Sequence, residues 1–215
     1  MHRRSLFLPL LLLVSAGAWA VESAQSNPVA DIAQRWAQIQ YETPEKLKAE
    51  EFEKLAAQSD ALTQAQSNAA EAWIWYGIVL SSWAGAKGGF GALGKAKEAR
   101  VALQKSLEID PTALDGSGYT SLGALYDEVP GWPIGFGDSH EAEKLLRKAL
   151  DLNPSGIDTL YFWGDHLYRQ DRYADARDTL LKAKRAAPRP GRELADAGRR
   201  KEIDALLANV EKKLN

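Results

Sequence analysis

The side chains in this sequence that could bind a metal or carry a proton are few. After the first 20 residues only two histidines remain, His140 and His166, with Asp138 and Asp165 close to them in sequence. Histidine nitrogens and aspartate oxygens are competent metal ligands, but no spacing here brings the four groups to one site. Asp138 directly precedes a helical pattern, where an N-cap explains it more simply. We therefore predict no metal, no cofactor and no catalytic site, and a protein that is not an enzyme.

A glycine-rich stretch from Gly89 to Gly94 has the GxGxxG spacing of dinucleotide-binding turns. That spacing holds a pyrophosphate only after a strand and at the start of a helix, whereas helical sequence precedes it here. We interpret 86–94 as a flexible loop between two helices, in which Phe90 and Leu93 fold back onto their neighbours.

A second stretch, 129–138, carries Trp132 and Phe136 among two prolines and three glycines. Proline restricts the backbone and glycine permits positive φ, so such a loop can hold both rings in defined places. Two interpretations stay open. The rings either fill the gap between neighbouring helix pairs, or form an aromatic lip that grips a peptide or small ligand.

The helices that must position these residues follow a repeat. Toward the C-terminus, Gly164, Ala176, Ala183 and Pro188 are spaced by 12, 7 and 5 residues. Two antiparallel helices approach closely only where a side chain is nearly absent, as at Gly164 and Ala176. Proline cannot continue the second helix. The spacing predicts one helix pair over 156–189.

The same pattern occurs twice upstream. Gly123 in one copy and Gly77 in the other occupy the position of Gly164, and each copy closes on a proline. The turn between the paired helices is longer by seven residues in the middle copy and by ten in the first. Three matches predict three helix pairs over 70–190.

These positions resemble the tetratricopeptide repeat (TPR) family, whose unit is about 34 residues long. The resemblance implies an all-α fold of antiparallel helix pairs, stacked as a right-handed superhelix with a concave groove. It also implies a binding or scaffold protein. The enlarged turns more narrowly resemble those of T-component proteins, the periplasmic TPR proteins of TRAP transporters, although this chain lacks the anchoring cysteine those proteins usually carry.

The repeat pattern predicts which residues face the groove, because the helix face beside the packing face would look into it. In the first helix of each repeat this face comprises Ile74, Ile78 and Ser81, then Thr120, Ala124, Asp127 and Glu128, then Tyr161, Asp165, Tyr168 and Arg169. Aromatic rings beside fixed charges suit an extended peptide. The predicted partner-binding residues are Tyr161, Asp165, Tyr168, Arg169, Thr120, Asp127, Trp132 and Phe136.

The segments outside the repeats are also expected to be helical. Within 21–69, Val29 to Tyr41 and Pro44 to Gln66 have helical periodicity, and a degenerate repeat is one interpretation of them. Residues 191–215 are predicted to form a capping helix, because a repeat stack exposes an apolar end that such a helix can cover.

The first 20 residues are predicted to be a cleavable signal peptide. Arg3 and Arg4 precede a short apolar run, and 18–20 reads Ala-Trp-Ala. The run is shorter than the roughly 20 residues that span a bilayer. The sequence has no cysteine for a lipid anchor or a disulfide. We expect an exported periplasmic protein without a membrane span in its mature chain.

Charge and composition leave two functional hypotheses. Residues 21–215 carry 25 basic and 29 acidic side chains, a balance that argues against nucleic acid, although basic residues outnumber acidic ones 13 to 8 from Arg169 onward. The leading hypothesis is a periplasmic scaffold that holds a protein or peptide in its groove. The alternative is a carrier of a small apolar ligand in support of a transporter, with its pocket enclosed by Trp83, Phe90, Trp132 and Phe136.

Overall fold

The computed structural model describes residues 27–215, apart from the side chain of Phe90. This part of the chain folds into nine α-helices without a β-strand. Their bounds are α1 Pro28–Glu42, α2 Glu45–Ala65, α3 Ala70–Lys87, α4 Gly89–Ile109, α5 Ala113–Glu128, α6 Ser139–Leu152, α7 Ile157–Arg169, α8 Tyr173–Lys184 and α9 Glu193–Leu214. None of these helices is both long and apolar enough to cross a membrane. The predicted signal peptide lies outside the described residues.

The helix pairs α3–α4, α5–α6 and α7–α8 share one close contact. Gly77, Gly123 and Gly164 each lie against a buried leucine of the following helix. A methyl group added at Gly123 would lie 2.7 Å from Cγ of Leu146, and one at Gly164 would lie 2.8 Å from Cγ of Leu180. Such distances leave room for no side chain other than hydrogen. The predicted arrangement of three helix pairs is confirmed.

The prediction of a flexible loop over 86–94 is wrong. The ten additional residues lengthen α3 and α4, so that Gly88 alone separates the two helices. Gly88 and Gly89 have φ values of 60° and 62°, which glycine adopts at little cost. The chain reverses at these two glycines, and the flanking residues, rich in alanine and lysine, stay helical.

The second insertion is a loop, as predicted. Residues 129–138 join α5 to α6, and the backbone N–H of Gly137 donates to the carbonyl oxygen of Pro130 at 3.0 Å. Asp138 is the N-cap of α6, where its carboxylate accepts hydrogen bonds from two backbone N–H groups of the first turn. The N-cap interpretation of Asp138 is thereby confirmed.

The start of α5 contains an irregular turn. Leu114, Asp115 and Gly116 have φ values of 48°, 54° and 76°. A left-handed conformation costs about 1 kcal/mol or more for each residue with a side chain. Gly116 tolerates it, and its lack of a side chain also admits Leu152 of α6.

The last helix, α9, has two roles along its length. In its C-terminal half Ile203, Leu206 and Val210 are buried in one core cluster with residues of α7 and α8, as expected of a cap. Its N-terminal half continues across the concave side and contacts α1, where any side chain at Gly198 would overlap the ring of Tyr41. The first and last described helices therefore touch, and the sequence did not predict this contact.

Candidate functional site

A cavity of about 630 Å³ occupies the concave side of the helix stack. Its walls come from α1, α3, α5 and α7, which lie on the concave side, together with α2 and α9. The second helices of the three predicted repeats, α4, α6 and α8, contribute none of its lining. Because α9 reaches α1, the concave surface is a partly enclosed cavity and not an open groove.

Aromatic rings form much of the cavity wall. They are Trp36, Tyr41, Phe52, Trp75, Tyr161 and Phe162. Trp36 and Trp75 meet edge to face with their centroids 5.9 Å apart, and the indole N–H of Trp36 donates to Oγ of Ser82 at 2.8 Å. These contacts fix the two rings in place. Trp36, Trp75 and Phe52 are 8%, 4% and 1% exposed, so they form the floor of the cavity more than an open surface.

An ion-pair cluster holds the N-terminal half of α9 over the cavity. Both Arg199 Nε and Arg189 Nη1 donate to the carboxylate of Asp158 in α7, each at 2.7 Å. Arg199 also donates to Glu202 at 2.5 Å, and Arg189 to Asp196 at 2.8 Å. Arg199 is 8% exposed, so this cluster combines charge with extensive burial.

The pKa values in this cluster reflect burial opposed by opposite charges. Burial alone would raise the pKa of Asp158, but Arg199 and Arg189 outweigh it and lower that pKa to about 2. Burial raises the pKa of Tyr161 to about 12 and that of Tyr41 well above its usual value. Asp158 is therefore ionised, and both phenols keep their protons, at neutral pH.

Cation–π contacts extend the attachment of this segment to other helices. The guanidinium carbon of Arg199 lies 4.4 Å from the ring centroid of Tyr161 and 4.7 Å from that of Phe162. The guanidinium carbon of Arg192 lies 4.9 Å from the ring centroid of Trp75. A buried guanidinium over an aromatic face is attractive, so α9 is held to both α7 and α3.

Two of the predicted partner-binding residues line the cavity. They are Tyr161 and Thr120, and they are joined by Ile78, Ser81, Ala124 and Glu128 from the same predicted faces. Thr120 is 3% exposed, and its Oγ1 lies 3.4 Å from Oγ1 of Thr159. The repeat pattern thus located the concave surface correctly over α5 and part of α7.

Three other predicted residues, Asp165, Tyr168 and Arg169, are not among the lining residues. Arg169 pairs with Asp165 at 2.7 Å and lies 3.7 Å from Glu128, which is at the edge of the cavity. Tyr168 instead packs on Tyr173 of α8 with ring centroids 5.6 Å apart.

Asp127, predicted to face the groove, lies in the interior. Its Oδ2 is 2.8 Å from Nδ1 of His166, and the two side chains are 5% and 1% exposed. Asp127 is in the last turn of α5, where α7 covers its side chain, so this carboxylate joins two repeats and is not on the groove surface. His140 is exposed on α6. In the described part of the chain no cluster of three or more histidine, aspartate or glutamate side chains could hold a metal ion.

The two aromatic residues of the 129–138 loop are not in the cavity wall. Trp132 is 90% exposed. Phe136 packs edge to face on Tyr126 with centroids 5.4 Å apart, under the guanidinium of Arg100. Phe136 therefore fills a gap between helices, as one of the two interpretations predicted, and Trp132 projects from the surface.

The predicted pocket between the two insertions is absent from the described structure. Trp83 is a core residue, 8% exposed, with Lys95 above its ring at 4.5 Å. Because α4 is helical from Gly89, the segment that was to cover the pocket packs as a helix instead. The side chain of Phe90 lies outside the described residues.

Several cavity residues were missed because the flanking segments contribute them. Trp36, Arg192 and Arg199 lie outside the repeats, and Trp75 lies off the predicted groove face. The excess of basic residues toward the C-terminus was the one feature of the sequence that could have indicated Arg192 and Arg199. Because the sequence does not show that α9 crosses the concave side, these arginines could not be assigned to the cavity.

Comparison with solved structures identifies the fold. A thermophilic TPR protein of Thermus thermophilus, TTC0263, is 13% identical, with 86% of this chain and 97% of that chain covered and a TM-score of 0.56. The MamA protein is 17% identical, with 87% and 93% covered and a TM-score of 0.43. The likeness to TTC0263 shows an all-α fold of stacked antiparallel TPR-type helix pairs. No family model and no curated protein matches the sequence.

Proposed function

We propose that this protein binds a small organic molecule in the cavity between its repeats and α9. The observation that carries the proposal is the contact of α9 with α1, which turns the concave surface into a partly enclosed site. The volume of about 630 Å³ lies within the range of about 300–1,000 Å³ typical of small-molecule sites. Fixed rings with a few charged groups among them also match such sites.

The same contact argues against an extended peptide along the groove. In the expected TPR mode the concave face is open from end to end, whereas Arg199 and Asp158 hold α9 across it here. A peptide would have to displace this ion-pair cluster. Its displacement would cost free energy, because charged groups that are largely covered would lose their partners. A compact ligand requires no such displacement.

A fluorescent dye tests the proposal. N-phenyl-1-naphthylamine, which is neutral, should bind the wild-type protein with increased emission. Ala124→Trp places a large ring in the cavity wall and should abolish that binding. Ala208→Trp, on the exposed side of α9, is the matched control and should bind as wild type does. If Ala124→Trp binds the dye as well as wild type, the dye lies elsewhere and the cavity assignment is wrong.

A second function, binding of a protein partner, is favoured by the tip of the 129–138 loop. Trp132 and Ile134 are 90% and 70% exposed, while internal hydrogen bonds hold the loop that carries them. Exposed tryptophans are frequent anchors of protein interfaces. A partner recovered by the wild type and by Leu181→Ala, another exposed apolar site, but lost with Trp132→Ala, would support this function. Equal recovery by all three would contradict it.

Periplasmic export is part of the proposal and rests on residues 1–20 alone. A short basic segment, an apolar run and small residues before Val21 support it. Mass spectrometry of the protein from a periplasmic fraction should give a chain that begins at Val21. A chain found in the cytoplasm with Met1 intact would contradict export.

A further inference from the structure

Arg192 differs from the other arginines of the cavity wall in having no carboxylate partner. Arg189 and Arg199 each pair with two acidic side chains. Within residues 27–215, no carboxylate oxygen lies within 4.0 Å of the Arg192 guanidinium. Its Nε is buried without a hydrogen-bond partner. Nη2 of Arg189 also makes no hydrogen bond of good geometry, but it lies 2.6 Å from a carboxylate oxygen of Asp196.

The acidic groups closest to Arg192 already bind other arginines. Asp158 accepts from Arg189 and Arg199, one on each oxygen. Asp196 accepts from the backbone N–H and Nε of Arg189, both at 2.8 Å. These carboxylates are held by Arg189 and Arg199 and lie more than 4.0 Å from the Arg192 guanidinium, so none of them pairs with it.

The surroundings of Arg192 disfavour its charged form. Burial lowers its pKa, and the nearby charge of Arg189 lowers it further, more than Asp158 and Asp196 raise it. Arg192 is half-buried, and its covered Nε makes no hydrogen bond. An unmade hydrogen bond at a covered charged group carries a desolvation cost that a charged acceptor would recover. A ligand that supplies an anionic oxygen would provide that acceptor.

The surroundings of Arg192 define the rest of such a ligand. Its guanidinium lies over Trp75 at 4.9 Å, and Trp75 is in contact with Trp36. All three residues line the same cavity. Arg192 therefore covers part of the Trp75 ring, and what remains accessible of Trp75 and Trp36, 4% and 8% exposed, adjoins the guanidinium. One small molecule can contact the cationic group and these ring edges together.

On the basis of the proposed small-molecule function, we infer that the ligand is an organic monoanion with an apolar body. Its carboxylate or sulfonate group binds Arg192, and its apolar part lies against Trp75 and Trp36. Arg192 is thus the residue that determines preference for charged over neutral ligands. The ion pairs of Arg189 and Arg199 position α9 and leave those two arginines unavailable for this role.

A matched pair of dyes tests the inference. 1-Anilinonaphthalene-8-sulfonate has the ring system of N-phenyl-1-naphthylamine with an added sulfonate. The wild type should bind the anionic dye more tightly than the neutral one, by about 10-fold or more if one charged hydrogen bond is gained. Arg192→Met should remove that preference and leave binding of the neutral dye within about 3-fold of wild type, as expected of a mainly apolar contact.

Two further variants separate charge from folding. Arg192→Lys keeps the charge and should retain part of the preference. Arg185→Met removes an exposed arginine at the C-terminal end of α8 and should bind both dyes as wild type does. If Arg192→Met keeps the full preference for the anionic dye, the inference is wrong. If Arg192→Met does not fold, the inference is tested by the other two proteins. It is wrong if wild type shows no preference for the anionic dye, or if Arg192→Lys loses none of that preference.

Competition with uncharged analogues provides an independent test. Benzoate should displace the bound dye at a lower concentration than benzamide, and decanoate at a lower concentration than decanol. Comparison of benzoate with decanoate distinguishes an aromatic acid from a fatty acid. Equal displacement within each pair would overturn the inference while leaving the proposed function intact. If neither dye binds, or if Ala124→Trp binds both dyes as wild type does, the proposed function is contradicted instead.

Discussion

At the scale of single residues, the buried pair Asp127–His166 connects the second and third repeats. His166 stacks on Trp163 with ring centroids 5.3 Å apart, and its Nδ1 contacts the Asp127 carboxylate. Asp127→Ala should lower the free energy of unfolding by about 2–3 kcal/mol, because a buried imidazole nitrogen loses its partner. Urea denaturation measures this. Asp151→Ala, at an exposed position of α6, should change stability by less than about 0.5 kcal/mol. A similar small change for Asp127→Ala would refute the assignment.

The close contact at Gly164 makes a second prediction. Gly164→Ala should destabilise the protein by about 1–2 kcal/mol, because the methyl group overlaps Leu180 and this outweighs the gain in helix propensity. Gly85→Ala, in α3 with nothing within 4 Å of the added atom, should be neutral or stabilising by about 0.5 kcal/mol. Thermal denaturation of both variants checks the difference. Equal effects would show that the glycine position is not a packing constraint.

Some of these residues could be predicted from the sequence and others could not. Small residues at fixed spacing located Gly164 and its two counterparts, because close packing between helices demands them. The same periodicity placed Asp127 on the groove face with Thr120, since both lie on one side of α5. Whether a residue on that face is buried depends on which side chain of α7 lies against it. For Asp127 this is His166, 39 positions away, and the periodicity of α5 carries no information on so distant a contact.

At the scale of helices, α9 determines whether the cavity exists. Gly198→Val should separate α9 from α1, because a side chain there overlaps the ring of Tyr41. Dye binding should fall by at least about 10-fold if the enclosed apolar wall is lost, while the helical circular dichroism of the repeats is retained. Ala197→Val, at the neighbouring exposed position, is the control. Unchanged binding by Gly198→Val would mean that α9 does not form the site.

Acid should weaken the same helix through Asp158. The folded-state pKa of about 2 lies below the ordinary value of 3.8, so ionised Asp158 stabilises the fold above about pH 4. That stabilisation, on the order of 2 kcal/mol, is lost as the pH falls from about 4 to 2. Asp158→Asn should therefore be less stable than wild type at pH 7, with a gap that narrows toward pH 2.

Urea denaturation at pH 7, 4 and 2.5 measures that gap. Asp178→Asn, at an exposed carboxylate of α8, should differ from wild type by the same small amount at each pH. A gap for Asp158→Asn that stays constant would show that the ion pairs of α9 make no pH-dependent contribution.

Some features of the helices followed from local residue types, whereas the helical course of 86–94 and the contacts of α9 were missed. The N-cap of α6 and the loop over 129–138 followed from residue types. The segment 86–94 was misassigned because all four of its glycines were taken to indicate a loop. Gly88 and Gly89 alone make the reversal, and Gly91 and Gly94 lie within α4. For α9 the amphipathic pattern indicated one buried face, but this pattern carries no information on which distant helix its other half contacts.

At the scale of the whole molecule, the three helix pairs and their stacking were predicted and the enclosure of the concave side was not. The repeat reports contacts between neighbours in sequence. Enclosure depends on Tyr41 meeting Gly198 and on Trp75 meeting Arg192, which are contacts between residues more than 100 positions apart in the sequence. The proposed function therefore depends on contacts that the repeat pattern does not report.

The contact between α1 and α9 also bears on how the protein unfolds. An open repeat array behaves as a one-dimensional chain, in which terminal units fray before central ones. Here each end is held by the other, so the loss of either should release both. Amide hydrogen exchange should give α1 and the first half of α9 the same opening free energy, close to that of α5. In Gly198→Val the two ends should exchange faster and independently, and equal protection before and after the substitution would refute this coupling.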